Sequence, residues 1–265
     1  MLKREVFKDQ TWFDQHVQDA VDTIPRFIHS ADNDLMEVEE RTSLRYTIFN
    51  SQLELMVMQY SRGEDVASLK KTYLDTIKAL QEYNAQPNAE TYDFQIFDDY
   101  QVALWLVSLG HLLDVDTRTW EVLINEIGNE EVDFIYEYLI ADQVPSRTIP
   151  TKIIYAEKYE FLMRAIRAES EPKKIEYINK FLDTYYHSMS NAFWYDRHLS
   201  DDLGFFGYWC FELAALVKTD AIDDSSFANN MFYPRDLLGK KLFRTWEDSE
   251  RGEADREAHQ LLKTK

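Results

Sequence analysis

Phe97-Asp98-Asp99-Tyr100-Gln101-Val102-Ala103-Leu104-Trp105-Leu106-Val107-Ser108-Leu109-Gly110-His111-Leu112-Leu113 decides the fold. Phe97, Tyr100, Val102, Leu104, Trp105, Leu106, Leu109 and Leu112 cover nearly every face, so the stretch predicts a central helix over about 94–113. A second apolar run, about 204–218, predicts another of the same kind. The longest unbroken part, Val102 to Gly110, is too short to span a bilayer.

Working outward, the dominant period is 3.6. Phe13, Val17, Ala20 and Ile24 form one stripe, with Thr11 placed to cap it, Asp14 in its first turn and Pro25 to kink or end it. A longer helix spans about 35–62, with Phe49, Leu53, Met56 and Tyr60 at 4-3-4 spacing and Gly63 as its C-terminal cap. Val66, Leu69, Tyr73, Ile77 and Leu80 mark a third. After the break at Pro87 and the central helix come segments at about 117–127 and 130–141, split by Gly128-Asn129. A loop between Pro145 and Pro150 then leads to a helical hairpin at about 151–169 and 172–189. No strand alternation of useful length occurs. The expected fold is all-α, an array of about 8–10 helices around the two central apolar ones. The expected organisation is an N-terminal helical region over 1–86, a C-terminal helical region over 87–244, and a charged tail over 245–265.

Composition agrees. Glycine and proline make up about 5% of the 265 residues, against roughly 12% on average, which disfavours turn-rich architectures. Aromatics at 14% and hydrophobics at 45% exclude global disorder. The single cysteine, Cys210, lies in an apolar run; it reads as an inert buried thiol suited to a reducing compartment. The N-terminal stretch has no apolar core of a signal peptide, so the expectation is a cytoplasmic protein.

The net charge is −19, which disfavours nucleic acid and anionic membranes and favours a basic protein partner. It is unevenly spread. Residues 84–142 hold 13 acids and only Arg118 as a base, whereas residues 150–200 hold 8 bases and 7 acids. Like charges crowded in 59 residues repel one another, a stability cost that invites a functional reason. The bland alternative is chance clustering, compensated in the fold by bases such as Arg147 or Lys152.

Catalytic signatures are missing: there is no phosphate loop, dinucleotide fingerprint, zinc-protease helix or nucleophile elbow. A metal site could be drawn from Asp183, His187, His198 and Asp201, but the repeated Glu-x-x-His of a helical di-iron site does not occur. No cofactor is expected. Glu212, inside the apolar run, reads either as an acid with a shifted pKa or, preferably, as a buried partner for an arginine or a helix end.

Three blocks then stand in order: Gly207-Tyr208-Trp209-Cys210-Phe211-Glu212-Leu213-Ala214-Ala215, Asp223-Asp224-Ser225-Ser226 and Tyr233-Pro234-Arg235-Asp236-Leu237. Together they resemble the C-terminal signature of the PoNi-like immunity proteins, and Tyr60-Ser61-Arg62-Gly63-Glu64 is similar to a segment of that family's N-terminal part. Phe232, where a second tyrosine would be expected, and the weakly patterned tail depart from the pattern. The resemblance covers about residues 10–240. It implies a non-enzymatic antidote to PoNe-type DNase toxins, which bacteria deliver through contact-dependent secretion systems such as type VI. No binding residue is carried over from it. The block residues read as structural: aromatics and alanines pack a central helix, Asp223 or Asp224 caps a turn, and Pro234 fixes a chain reversal.

A nuclease presents a basic groove to DNA, so an acidic segment complements it. Asp98, Asp99, Glu130, Glu131, Asp133 and Glu137 are the expected contributors, with Tyr136 and Tyr138 as anchors, although some of these must face inward. Two other classes stay open: a helical metal-binding protein or enzyme, and a scaffold that dimerises through exposed aromatics.

Overall fold

The computed structural model describes residues 3–33, 35–200 and 204–239. Among these it is all-helical, with nine α-helices, two 3-10 turns and no strand. The expected tail over 245–265 lies outside the described residues. The chain divides into two compact units, each assembled from three stretches. One takes residues 1–91, 118–127 and 197–207; the other takes 92–117, 128–196 and 208–265.

The first unit is built on α1 (Gln10–Ala31), α2 (Val38–Arg62) and α3 (Val66–Asn84), with α2 packed on both others. Asp9 caps α1, its Oδ1 accepting from Trp12 N at 2.7 Å, so the cap lies two residues before Thr11. Pro25 does not end α1. It sits on the exposed side, and the buried stripe of Phe13, Val17 and Ile24 continues to Ala31. Gly63 closes α2 at φ +108°, a left-handed geometry that a side chain disfavours, and its N–H bonds Gln59 O and Tyr60 O. The two later stretches are stitched onto this bundle. Ser61 Oγ donates to Phe206 O at 2.5 Å, Arg197 pairs with Glu54 at 2.9 Å, and in α5 (Thr117–Ile127) Glu126 O accepts from Asn84 Nδ2 at 3.0 Å.

The second unit centres on α4 (Phe97–Leu112) and α9 (Phe211–Thr219), which pack on each other. Thirteen of the sixteen α4 residues are buried, as is every α9 residue from Phe211 to Val217. Around them lie α6 (Phe134–Ile140) and the hairpin of α7 (Ala156–Arg167) and α8 (Glu171–Ser188). The second apolar helix is shorter than its composition suggests, because residues 204–210 are not helical. Gly207 adopts φ +117°, and the buried chain beyond it bonds to other segments instead of to itself. Cys210 N donates to Phe232 O at 2.8 Å, and Trp209 O accepts from Tyr185 Oη at 3.2 Å.

The remaining block residues also do internal work. Trp194 lies among Tyr185, Tyr208 and Trp105, while Phe211 meets Trp105 edge-on at 5.8 Å. Asp223 accepts from Ser225 N and Ser225 Oγ, both at 3.0 Å. Buried Asp224 accepts from Tyr233 Oη at 3.2 Å. Pro234 leads into the 3-10 turn Arg235–Leu238, where Asp236 and Leu237 are buried. Phe232 stacks flat on Tyr186, 5.7 Å away with planes 3° apart, a contact that does not need a hydroxyl.

Candidate partner-binding surface

All eight residues expected to meet a partner belong to the second unit. Asp98 and Asp99 occupy the first turn of α4, where a negative charge opposes the positive end of the helix dipole. Both are half-buried and engaged. Asp98 Oδ1 accepts from Phe193 N, and Asp99 Oδ2 from Asp93 N, each at 3.0 Å.

Three of the eight point inward, which corrects their expected place on a surface. Asp133 is fully buried and caps α6. Its Oδ1 accepts from Ile135 N (2.8 Å), Tyr136 N (3.0 Å) and Tyr100 Oη (2.9 Å), and its Oδ2 from Ile154 N (2.9 Å). Burial nevertheless raises its carboxyl above the ordinary range, and those four donors pull it back. Tyr136 packs edge-on against Phe94 at 5.0 Å. Glu137 is buried against Arg147 at 2.5 Å and also accepts from Glu131 N at 2.7 Å. The cause is helical geometry: a seven-residue helix against α4 and α9 turns most of its positions into the core. Arg147 thus neutralises one acid of the segment from a loop ten residues on.

Tyr138 is half-buried, and its hydroxyl donates to Asp220 Oδ1 at 2.6 Å; Lys174 pairs with the same carboxylate. Glu130 and Glu131 are exposed, on a turn where Gly128, Asn129 and Glu131 all have positive φ. Glu131 Oε1 accepts from Thr148 N at 3.1 Å. The turn is held beside the start of the unit by Asn129 Nδ2, which donates to Tyr92 O at 2.9 Å.

The structure adds a residue that the charge pattern did not single out. Tyr155, just before α7, donates to Gln95 O at 2.8 Å and meets Phe97 edge-on at 4.9 Å. Its phenol is raised above the ordinary range by burial first, then by Glu157, Asp93, Asp98 and Asp99. Carboxylates from two distant parts of the sequence thus add negative potential at one half-buried aromatic ring. Lys158 lies over the Phe97 ring at 4.6 Å but spends its donors on Ser188 O (2.5 Å) and Asn191 Oδ1 (2.6 Å). The acidic segment had marked Asp93, Asp98 and Asp99 in the sequence, but nothing in it linked them to Tyr155 and Glu157.

The residues drawn together as a metal set fall in different units. Asp183 and His187 are exposed on α8, where they line an open groove of about 400 Å³ with Phe161. In the other unit His198 packs on Phe7 at 4.5 Å, and Asp201 lies outside the described residues. Among the described residues no three His, Cys, Asp or Glu side chains are grouped to hold a metal ion, and no helix is long and apolar enough to cross a membrane.

Residues 2–125 match the family model described as PoNe immunity protein (PoNi), N-terminal, and residues 131–237 match PoNe immunity proteins (PoNi), C-terminal. The comparison with curated proteins returned no match. Among solved structures the fold is similar to the crystal structure of protein PA2201 from Pseudomonas aeruginosa. The TM-score is 0.73 at 17% identity, over 90% of each chain.

Proposed function

The chain belongs to the PoNe immunity protein (PoNi) family, and from that premise we propose that it binds and neutralises a cognate PoNe-type DNase toxin in the cytoplasm of the producing cell. Membership of a family of immunity proteins supports a binding role over a catalytic one. The acidic surface is the finer part of the proposal. Asp93, Asp98, Asp99 and Glu157 add their charge at Tyr155, and exposed Glu130 and Glu131 stand on the turn tied to Tyr92.

A DNase holds its substrate through lysines and arginines that face phosphates. Carboxylates presented on rigid helix ends compete for those cations, and the aromatic ring among them supplies an amphipathic anchor at small conformational cost. Long-range attraction raises the capture rate, which matters when uninhibited toxin cuts the genome. The observation that carries this reading is the family match over residues 2–125 and 131–237; the bond from Tyr155 Oη to Gln95 O, which sets the start of α7 beside the acidic start of α4, supports the choice of surface. Secretion through a type VI apparatus is a property of the toxin that this surface leaves open.

The test is co-expression with the nuclease encoded beside this chain's gene. Wild-type protein is expected to abolish toxicity and DNA cleavage and to co-purify with the nuclease. Undiminished cleavage with both proteins folded would sink the proposal. If neutralisation persists when Asp93, Glu130 and Glu157 are all changed to Lys, the assigned surface is wrong although the role stands.

A further inference from the structure

Glu212 lies in the first turn of α9 and is fully buried. Both of its carboxyl oxygens are shut off from solvent and lack a hydrogen-bond partner. The hydroxyl of Tyr159, one of the groups facing it, is likewise buried without a well-formed hydrogen bond.

Among the described residues that surround it, no cation reaches the carboxyl. From α4 the facing titratable group is Tyr100, whose hydroxyl is already committed to Asp133 at the cap of α6. From α7 it is Tyr159 and from α8 Tyr185; Cys210 precedes α9 itself. The 3-10 turn packed on α9 brings Arg235, bonded to Asn229 Oδ1 at 3.2 Å, and buried Asp236. Lys218, in the last turn of α9, is spent on His111 O and Asp114, both at 2.8 Å. The anticipated arginine partner is therefore missing, and only the helix-end part of that expectation describes the site.

An ionised carboxylate with no cation and no well-formed hydrogen bond in an apolar interior is strongly unfavourable, so such a group keeps its proton instead. We infer that Glu212 is a proton-gated core residue: as a neutral acid it lets α9 pack on α4, and its ionisation weakens the second unit. Burial pushes the carboxyl up to about 7, while its own backbone N–H, Cys210 and Tyr159 oppose the rise without cancelling it.

The sign follows from linkage. The folded form holds its proton more tightly than the unfolded chain, so the stabilisation is complete below pH 4.5 and is lost as pH rises through about 7. A rise of this size changes the unfolding equilibrium constant by roughly 300-fold in full, of which roughly 100-fold falls between pH 5 and 8.5, since each pH unit between the unfolded and folded values contributes a factor of about ten.

The experiment is urea unfolding of the full chain from pH 5 to 8.5, comparing wild type with Glu212→Gln. The amide stays neutral, so the variant is expected to lose about 100-fold of the pH dependence while behaving like wild type in acid. An unchanged slope would overturn the inference. Should the variant fail to fold, a carbon-13 NMR titration of the assigned Glu212 carboxyl in wild-type protein decides: a midpoint near neutrality supports gating, and one in the ordinary carboxylate range refutes it. Glu5→Gln serves as the control, because Glu5 is a buried acid of the other unit and removes a separate share of the slope.

Discussion

Arg147 Nη2 stands 2.5 Å from Glu137 Oε1, and both side chains are almost wholly withdrawn from solvent. The same guanidinium lies over the Tyr136 ring at 5.6 Å, so one loop residue fastens the segment 144–150 to α6 through charge and through an aromatic face. Removing one partner of a buried pair leaves the other charge uncompensated, typically at about 3–5 kcal/mol. Arg147→Ala should lower the urea midpoint accordingly. Adding Glu137→Gln to that variant should restore part of the loss, since the stranded charge is then gone. Equal stabilities for the single and double variants would show the pair to be energetically idle.

Asp133 offers a second stability test. Its carboxylate satisfies two N–H groups of α6, the N–H of Ile154 and the buried Tyr100 hydroxyl. Losing a cap costs about 1 kcal/mol and stranding a buried donor about 1–3 kcal/mol. Asp133→Ala is therefore expected to cost about 2–4 kcal/mol by denaturant unfolding. Asp133→Asn keeps an acceptor and should cost markedly less.

Association kinetics probe the acidic surface. Glu130→Lys with Glu157→Lys removes two negative charges and installs two positive ones at exposed positions, neither of which accepts a hydrogen bond that holds the backbone. Stopped-flow association with the nuclease should slow by on the order of tenfold at low salt, and the dependence on ionic strength should flatten. Dissociation should change less. Tyr155→Ala should do the reverse, speeding dissociation while leaving the salt dependence intact.

Glu5 predicts a pH effect in the first unit. Its carboxyl is raised to about 7 by burial, opposed by Lys3 and by the backbone N–H groups of Lys8, Val6 and Phe7. Because the folded value is the higher one, stability is full below pH 4.5 and falls as pH rises through about 7. Glu5→Gln should flatten that fall by about 1.4 kcal/mol for every pH unit that separates the folded from the unfolded value. Differential scanning calorimetry at pH 5 and 8 reads it directly. A wild-type midpoint that rises across this interval would contradict the sign.

The helices were legible because they follow from local chemistry. An apolar run that leaves no polar face has to be central, as 97–113 is, and a glycine after a periodic stretch closes a helix, as Gly63 does. The three-block signature was legible too, since its order along the chain is linear information. The extended stretch before α9 was not, because Tyr208, Trp209 and Cys210 are as apolar as the helix that follows. Only the bonds from Cys210 to Phe232 and from Tyr185 to Trp209 distinguish them.

Charge shows the division most sharply. Composition by itself established that thirteen acids crowd residues 84–142. Which acids serve the outside and which the core depended on packing. Asp133 and Glu137 turned inward because a short helix meets α4 and α9, and their charges are met by donors and an arginine that are near in space. Asp93, Asp98, Asp99 and Glu157 act together on the Tyr155 phenol because the fold brings the start of α7 beside the start of α4. A side chain's sign is written in the chain, but its exposure and neighbours are properties of distance, which only tertiary structure sets.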